Sequence, residues 1–303
     1  MDSPGYDKLL FILPFDHRGS FIKMYGYEEP LTSEQHRELG DAKWVVYEGF
    51  KKAVLQEEPP KEYAALLVDE QFGEAIHRDA RAAGFTTLLT VEKSGQDEFD
   101  FEYGEKFGEH IEKYKPTFAK ALIRYNPEGE EKLNSRQRKR LKILSDYCHK
   151  NGYKFLIEPL VPATEFQLAS VGGDQGQYDK EIRYKLMIGM IKELQDAGVE
   201  PDVWKIEGLE DAEQYRAIID QAQTAGRTGV KAIILGRGAD SVQVEKWLRA
   251  GAGVAGVIGF AIGRTIFREP LEALQAGRIN QDQAIEQIAK NYQHFYRVFA
   301  DKR

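Results

Sequence analysis

The sequence contains little of what a secreted, membrane-bound or nucleic-acid-binding protein needs. Its 303 residues include one cysteine, Cys148, which excludes an internal disulfide and suits a reducing cytoplasm. No apolar run approaches the roughly 20 residues of a membrane-spanning helix, and the acidic start of the chain does not resemble a signal peptide. A formal net charge of −7 argues against general binding to nucleic acid. We therefore expect a cytoplasmic protein that binds neither membranes nor nucleic acids.

Histidines with the spacing of zinc ligands are also missing. The six histidines are His17, His36, His77, His110, His149 and His294. Five of them fall in predicted helices, and no pair stands at the end of a predicted strand with the spacing of zinc ligands. We therefore expect neither a catalytic metal nor another cofactor.

Short apolar or β-branched runs alternate with amphipathic segments along the chain. The runs predict strands at residues 9–14, 64–68, 86–91, 117–123, 153–157, 203–206, 230–235 and 254–260. The segments between them predict helices at 33–56, 71–83, 104–114, 132–150, 179–198, 211–224 and 240–250, with Ser33 and Asp69 as cap residues. Alternation of this kind over about 250 residues predicts one (β/α)8 TIM barrel comprising residues 1–303. A doubly wound open sheet is the alternative.

Two further segments stand apart from this alternation. Residues 161–178 contain Pro162, Gly172 and Gly173 and show no periodicity, which predicts an irregular loop on the catalytic face of the barrel. An extra helix is predicted at residues 281–300, with an apolar stripe that includes Tyr292. This stripe packs against the barrel or, in the alternative interpretation, against a second subunit in a homo-oligomer.

Lys205 stands at the end of an apolar run, in the sequence VWKIEG. Burying an ammonium group is costly, and loss of its proton relieves that cost and makes the amine a nucleophile. Such a lysine forms Schiff bases with ketones. The alternative is a lysine whose stem packs in the protein while its amine reaches water.

Other charged residues also follow the predicted strands, where the active site of a barrel lies. They are Asp16, His17, Arg18, Asp69, Glu70, Glu92, Lys93, Lys120, Arg124, Glu158, Glu207, Arg237 and Arg264. Strand alternation places Lys120 and Arg124 on one face of strand 4, and Lys205 and Glu207 on one face of strand 6. If these faces line the barrel interior, two lysines converge with carboxylates. Glu158, on the strand next to that of Lys205, is then placed to transfer protons, and Lys120 is either its partner in catalysis or only in an ion pair.

Glycine-rich turns with arginine follow the last two strands. Gly236 and Arg237 follow strand 7, and Gly263 and Arg264 follow strand 8. In TIM barrels these two loops often bind phosphate through backbone amides at a helix start, and arginine adds a bidentate contact. We expect the pair of turns to bind a phosphorylated small molecule.

Several motifs resemble a known family over residues 7–275. They are LPFDHRGSF, VDEQFG, VEKSGQDEFDFEYG, KALIRYNPEG, EPLVP, GVEPDVWKIEGLE, LGRGAD and GFAIGRTIF. They resemble the aldolase-like domain fused to 5-dehydro-2-deoxygluconokinase in some bacteria. That domain is similar to class I tagatose-1,6-bisphosphate aldolase and sulfofructose-phosphate aldolase.

The resemblance implies a role for each matching residue. Lys205 is the Schiff-base lysine, Glu158 the acid and base, and Lys120 an accessory lysine. Asp16 and Arg18 line the substrate pocket, and Arg264 lies where these aldolases bind phosphate or sulfonate. The implied substrate is 2-deoxy-5-keto-gluconate 6-phosphate, which is cleaved to dihydroxyacetone phosphate and malonate semialdehyde in inositol breakdown. The alternatives are cleavage of a ketohexose bisphosphate or sulfosugar phosphate, and a regulatory protein that binds a sugar phosphate without turnover.

Overall fold

A computed structural model describes residues 3–303 of the chain. Eight parallel strands close into a barrel in chain order, and the first strand pairs with the eighth. They are β1 Leu10–Pro14, β2 Ala64–Val68, β3 Thr86–Thr90, β4 Phe118–Arg124, β5 Lys154–Leu160, β6 Val203–Glu207, β7 Lys231–Leu235 and β8 Val257–Ala261. The predicted TIM barrel is confirmed. The alternative of an open sheet is wrong, because β1 is hydrogen-bonded to β8 and the sheet therefore has no edge strands.

Helices surround the barrel and follow its strands. They are α1 Gly19–Met24, α2 Ser33–Leu55, α3 Glu70–Ala82, α4 Phe107–Tyr114, α5 Glu131–Lys150, α6 Glu165–Ser170, α7 Gln175–Glu181, α8 Arg183–Asp196, α9 Ala212–Ala222, α10 Ser241–Gly251, α11 Arg264–Gln275 and α12 Gln281–Ala300. Asp69 caps α3 as predicted, whereas Thr32 rather than Ser33 caps α2. Within residues 3–303, no helix is long and apolar enough to cross a membrane.

Four helices differ from the sequence prediction. The helices α1, α6 and α7 have six or seven residues, which is too short for a periodic signal. The expectation of an irregular loop at residues 161–178 is therefore wrong in part, because α6 and α7 lie there. The sequence does not predict α11, because this helix contains Pro270. Proline removes the hydrogen bond to the carbonyl four residues earlier. The side chain of Asn291 on α12 donates to that carbonyl, Ile266 O, at 2.8 Å and replaces the missing bond.

Strand alternation sets the contents of the barrel. A buried apolar cluster includes Leu10, Ile12, Leu88, Phe118, Leu156, Val203 and Ile233. On β4, β5 and β6, the residue two positions after the apolar one is Lys120, Glu158 and Lys205 respectively. The interior therefore changes from apolar to charged toward the carboxyl ends of the strands, and that charged layer forms the floor of the site.

The extra helix α12 packs against the barrel. Ile288, Tyr292, Phe295 and Phe299 on its apolar stripe are buried. The Tyr292 hydroxyl donates to the carbonyl of Phe11 on β1 at 2.6 Å. Packing within the chain therefore accounts for this stripe, and the extra C-terminal helix is confirmed.

Candidate active site

A pocket of about 430 Å³ opens at the carboxyl ends of the barrel strands. Its lining includes nine of the ten site residues predicted from the sequence. These are Asp16, Arg18, Lys120, Arg124, Glu158, Lys205, Arg237, Gly263 and Arg264. Gly236 is not among the lining residues, whereas Gly238, two positions later in the same turn, is. Barrel closure thus joins residues from seven strands and the turns after them in one cavity.

Lys120 lies at the centre of a charged cluster on the pocket floor. Its Nζ is 2.9 Å from Asp16 Oδ2, 2.6 Å from Glu92 Oε1 and 3.0 Å from Glu158 Oε2. The Thr90 hydroxyl also donates to Asp16 Oδ2, at 2.9 Å. Three carboxylates thus surround one ammonium group that is only 2% exposed.

Lys205 joins this cluster through Glu158. Its Nζ is 2.9 Å from Glu158 Oε2, the same oxygen that contacts Lys120. Lys205 is 2% exposed, so its amine does not reach bulk water, and the interpretation of a packed stem with a hydrated amine is wrong. The two lysines lie on either side of one carboxylate, at the bottom of a pocket.

The charges of the cluster shift its pKa values in different directions. Burial lowers the pKa of Lys120, but the Asp16, Glu158 and Glu92 carboxylates outweigh it and raise this pKa well above its ordinary value. Burial raises the pKa of Asp16 and of Glu158, but the two lysines outweigh it, and both pKa values lie below the ordinary range. Lys120 is therefore a permanent cation at neutral pH, and Asp16 and Glu158 are ionised.

Glu92 and Glu207 differ from the sequence-based picture. Glu207, predicted to share a face with Lys205, does not join the lysines. Its Oε1 is 2.9 Å from Arg183 and 3.0 Å from Arg237, and its Oε2 accepts from the backbone N–H of Val161. Glu92 contacts Lys120 instead, and burial raises its pKa because the attraction of Lys120 does not fully offset the loss of water. The position of Glu92 after β3 is the feature of the sequence that identifies it as a candidate site residue.

The turn after β8 leaves one arginine without a carboxylate partner. Arg264 begins α11, and the one hydrogen bond that its guanidinium makes within residues 3–303 is to the carbonyl of Arg237, at 3.3 Å. The Arg237 guanidinium, in contrast, is 2.7 Å from Asp179 in addition to its contact with Glu207. Gly238 lies against Arg264, where a Cβ atom would be 2.5 Å from Nη2. Arg264 is therefore the better placed of the two to bind an anion.

Arg18 and Arg124 contact a loop that follows β3. Arg18 is 2.8 Å from Glu102 and also donates to the carbonyl of Glu92, so its guanidinium holds this loop. Arg124 donates to the carbonyl of Gln96, and its nearest carboxylate, on the exposed Asp97, is 3.9 Å away. Arg124 thus makes one hydrogen bond at the pocket rim, whereas Arg18 makes two.

His17 and Thr90 are pocket residues with less obvious sequence signals. Burial is the main cause that lowers the pKa of His17 to about 4, so its ring is neutral at pH 7. Its Nδ1 is buried and has no hydrogen-bond partner in residues 3–303. Thr90 follows Leu88 by two positions on β3, and this spacing could have identified it. The same part of the chain contains no group of three His, Cys, Asp or Glu side chains arranged as metal ligands.

The arrangement as a whole combines a buried amine, an ionised carboxylate within 3 Å of it, a fixed cation and an arginine at a helix start. An amine nucleophile beside a proton acceptor can form an imine with a ketone. The helix start and the arginine can bind a phosphate group of the same substrate.

Comparison with known proteins gives a family and a fold. A family model described as "Uncharacterized protein conserved in bacteria (DUF2090)" matches residues 3–303. No curated protein matches the chain significantly in sequence. The solved structure of fructose-bisphosphate aldolase from Plasmodium falciparum, in complex with TRAP and a small-molecule inhibitor, has a TM-score of 0.68 and 12% identity to this chain. The match covers 98% of this chain and 92% of that one, and it shows that the two chains share the TIM-barrel fold.

Proposed function

The chain belongs to the DUF2090 family, and we propose that it is a class I aldolase that cleaves a phosphorylated keto sugar or sugar acid. The observation that carries this proposal is Lys205, a buried amine 2.9 Å from Glu158 at the floor of the pocket. A lysine with no reactive role gains little from this position, because burial of its charge is costly. The aldolase-like fold and the sequence resemblance support the same conclusion.

In the proposed mechanism Lys205 attacks the substrate ketone and Glu158 transfers protons at the same centre. Glu158 accepts a proton from the amine and donates it to the carbinolamine hydroxyl, which leaves as water. The resulting iminium accepts the electron pair of the carbon–carbon bond when that bond breaks. Lys120 remains charged throughout, because the surrounding carboxylates raise its pKa well above the ordinary value.

The proposed substrate is 2-deoxy-5-keto-gluconate 6-phosphate, with dihydroxyacetone phosphate and malonate semialdehyde as the products. The resemblance to the domain fused to 5-dehydro-2-deoxygluconokinase supports this choice and a role in inositol breakdown. Arg264, Gly263 and Arg237 line the side of the pocket where the phosphate is expected, with Arg264 as its main ligand. Arg124 is the expected ligand for a group at the other end of the substrate. A ketohexose bisphosphate or a sulfosugar phosphate is the alternative within the same chemistry.

Reduction with borohydride tests the Schiff base directly. In the presence of dihydroxyacetone phosphate, borohydride should add one triose phosphate to the peptide that contains Lys205, and mass spectrometry measures the adduct. The Lys205→Met variant should give no adduct, while Lys93→Met, at the pocket rim, should still give it. An adduct found only on another lysine, or none at saturating ligand, would show that the proposed mechanism is wrong.

A further inference from the structure

Glu207 is a buried carboxylate that the proposed mechanism does not use. It follows Lys205 by two positions on β6, yet it is 1% exposed and does not line the pocket. Because it does not face the cavity, it is not a candidate for direct contact with a substrate. A buried ion pair is weak evidence for stability, which makes Glu207 a candidate for fixing one particular geometry.

Three separate segments of the chain meet at Glu207. Its Oε1 is 2.9 Å from Arg183 on α8 and 3.0 Å from Arg237 in the turn after β7. Its Oε2 accepts from the backbone N–H of Val161, just after β5, at 3.1 Å. Arg237 has a second carboxylate partner in Asp179 on α7, at 2.7 Å. The Arg237 side chain is therefore held by carboxylates from two different elements.

The backbone of Arg237 adopts a conformation that few residues other than glycine take. Its φ is 53°, in the left-handed region. Such a conformation is strained, and it persists where the surrounding structure imposes it. The contacts of the side chain with Glu207 and Asp179 supply that restraint. They thereby also fix the direction of the Arg237 carbonyl.

That carbonyl is the acceptor for the arginine expected to bind phosphate. The Arg264 guanidinium donates to Arg237 O at 3.3 Å. The next residue, Thr265, donates from its hydroxyl to Ala239 O at 2.8 Å. Gly238, between these two acceptors, lies so close to Arg264 that a Cβ atom would be 2.5 Å from Nη2. The turn after β7 is therefore the surface against which the Arg264 side chain lies.

We propose that Glu207 is a positioning residue, which fixes the turn after β7 through Arg237 and so holds the Arg264 guanidinium in place for the phosphate of the substrate. The inference rests on the proposed function, because it takes the substrate to be phosphorylated. Glu207 lies on the same strand as Lys205, so it links the anion site to the strand of the reactive amine. A displaced turn would misplace the phosphate relative to that amine, and a small misplacement is costly in catalysis.

Binding of inorganic phosphate, followed by phosphorus NMR titration of the intact protein, tests this role without requiring turnover. The near-isosteric Glu207→Gln variant removes the charge and should weaken phosphate binding by roughly 10-fold. Arg264→Ala should weaken binding at least as much. The double variant should bind no more weakly than Arg264→Ala alone, because Glu207 acts through Arg264. Glu210→Gln, an exposed change in the turn after β6, is the matched control and should leave binding unchanged.

Trapping on Lys205 separates positioning from a general loss of structure. In Glu207→Gln, the concentration of dihydroxyacetone phosphate for half-maximal borohydride trapping should rise, whereas that of dihydroxyacetone, which lacks the phosphate, should not change. An equal change for both trioses in a folded variant would overturn the inference. So would additive losses in the double variant, or tighter phosphate binding by Glu207→Gln, which would mean that the released Arg237 binds the anion itself.

The two proposals fail in different ways. Wild-type protein that binds phosphate but traps neither triose would overturn the aldolase function, while the titration would still decide the role of Glu207. Wild-type protein that binds no phosphate would refute that role. If Glu207→Gln does not fold, Asp179→Asn decides, because this half-buried residue is the other carboxylate on Arg237. Phosphate binding should then weaken several-fold, and unchanged binding would refute the inference.

Discussion

Lys120 and Lys205 are equally buried, yet they contact different numbers of carboxylates. Lys120 contacts three carboxylates, which together hold its proton firmly. Lys205 shares one of these carboxylates with Lys120 and has no other acidic partner among residues 3–303. The three carboxylates raise the pKa of Lys120 well above its ordinary value, so Lys120 remains a cation. This asymmetry supports Lys205 as the nucleophile and Lys120 as the fixed cation.

The Arg264→Ala variant tests phosphate recognition. The change should lower kcat/KM by a factor that corresponds to a loss of roughly 2–4 kcal/mol in transition-state stabilisation, because it removes one member of a charge-assisted pair. Both KM and kcat should change if the phosphate contact also positions the ketone against Lys205. Steady-state kinetics with the phosphorylated substrate measures the loss.

A non-phosphorylated analogue is the control for Arg264→Ala. Its slow cleavage should hardly change, because the analogue lacks the group that Arg264 binds. An equal loss with both substrates would mean that Arg264 supports the structure and does not bind phosphate. Arg237→Ala provides a comparison, since this guanidinium is already paired with Glu207 and Asp179.

The turn from β8 into α11 is tightly packed against β1. Its residue Gly263 has an ordinary φ of −111°, so backbone conformation does not require glycine there. A Cβ atom at this position would lie 2.2 Å from the carbonyl oxygen of Pro14, however. The close approach of two strand ends, at the point where the barrel closes, is the reason for glycine.

We therefore expect Gly263→Ala to destabilise the protein by roughly 1–3 kcal/mol, the usual cost of overpacking, and to displace Arg264. Urea unfolding measures the first effect, and KM for the phosphorylated substrate measures the second. Gly40→Ala is the matched control. Gly40 lies inside α2 with 3.5 Å to its nearest neighbour, so alanine should be neutral or stabilise the helix by up to about 1 kcal/mol. A stable Gly263→Ala variant with unchanged KM would contradict this account.

The barrel as a whole is held at its amino-terminal end by a buried carboxylate. Asp202 is fully buried, and it accepts from the N–H groups of Gly5 and Phe155 at 2.8 and 2.7 Å. Lys154 and His149 also contact it. Burial raises the pKa of Asp202, but these partners outweigh burial, so the pKa lies below its ordinary value. The group stabilises the folded chain only while it is ionised.

Stability should therefore depend on pH in a predictable way. A carboxyl group whose pKa is lowered by folding contributes fully above its unfolded pKa, about 4, and loses that contribution as the pH falls through the folded value. We expect Asp202→Asn to cost roughly 2–4 kcal/mol at pH 7 and progressively less in acid, where wild-type Asp202 is protonated too. Urea unfolding of both proteins between pH 7 and pH 3 measures the difference. A difference that stays constant over this range would refute the explanation.

The sequence by itself determined the order of the barrel and the contents of its charged layer. Strand periodicity is a local property, so it could place Lys120 on one face of β4 and Lys205 on one face of β6, and chain order could place Glu158 on the neighbouring strand β5. Nine of the ten residues predicted for the site line one pocket, because the strands and the turns after them meet at one end of the closed barrel. Their chemical roles remain proposals that the experiments above test.

Only the tertiary structure decided which charges meet. Glu92 and Glu207 both follow apolar strand residues, yet Glu92 reaches Lys120 while Glu207 is paired with Arg183 and Arg237. Likewise, Asn291 satisfies the carbonyl that Pro270 leaves free, and this contact preserves a helix that local rules would end. Each outcome depends on partners far away in the chain. Their distances follow from barrel closure and side-chain packing, which no local periodicity encodes.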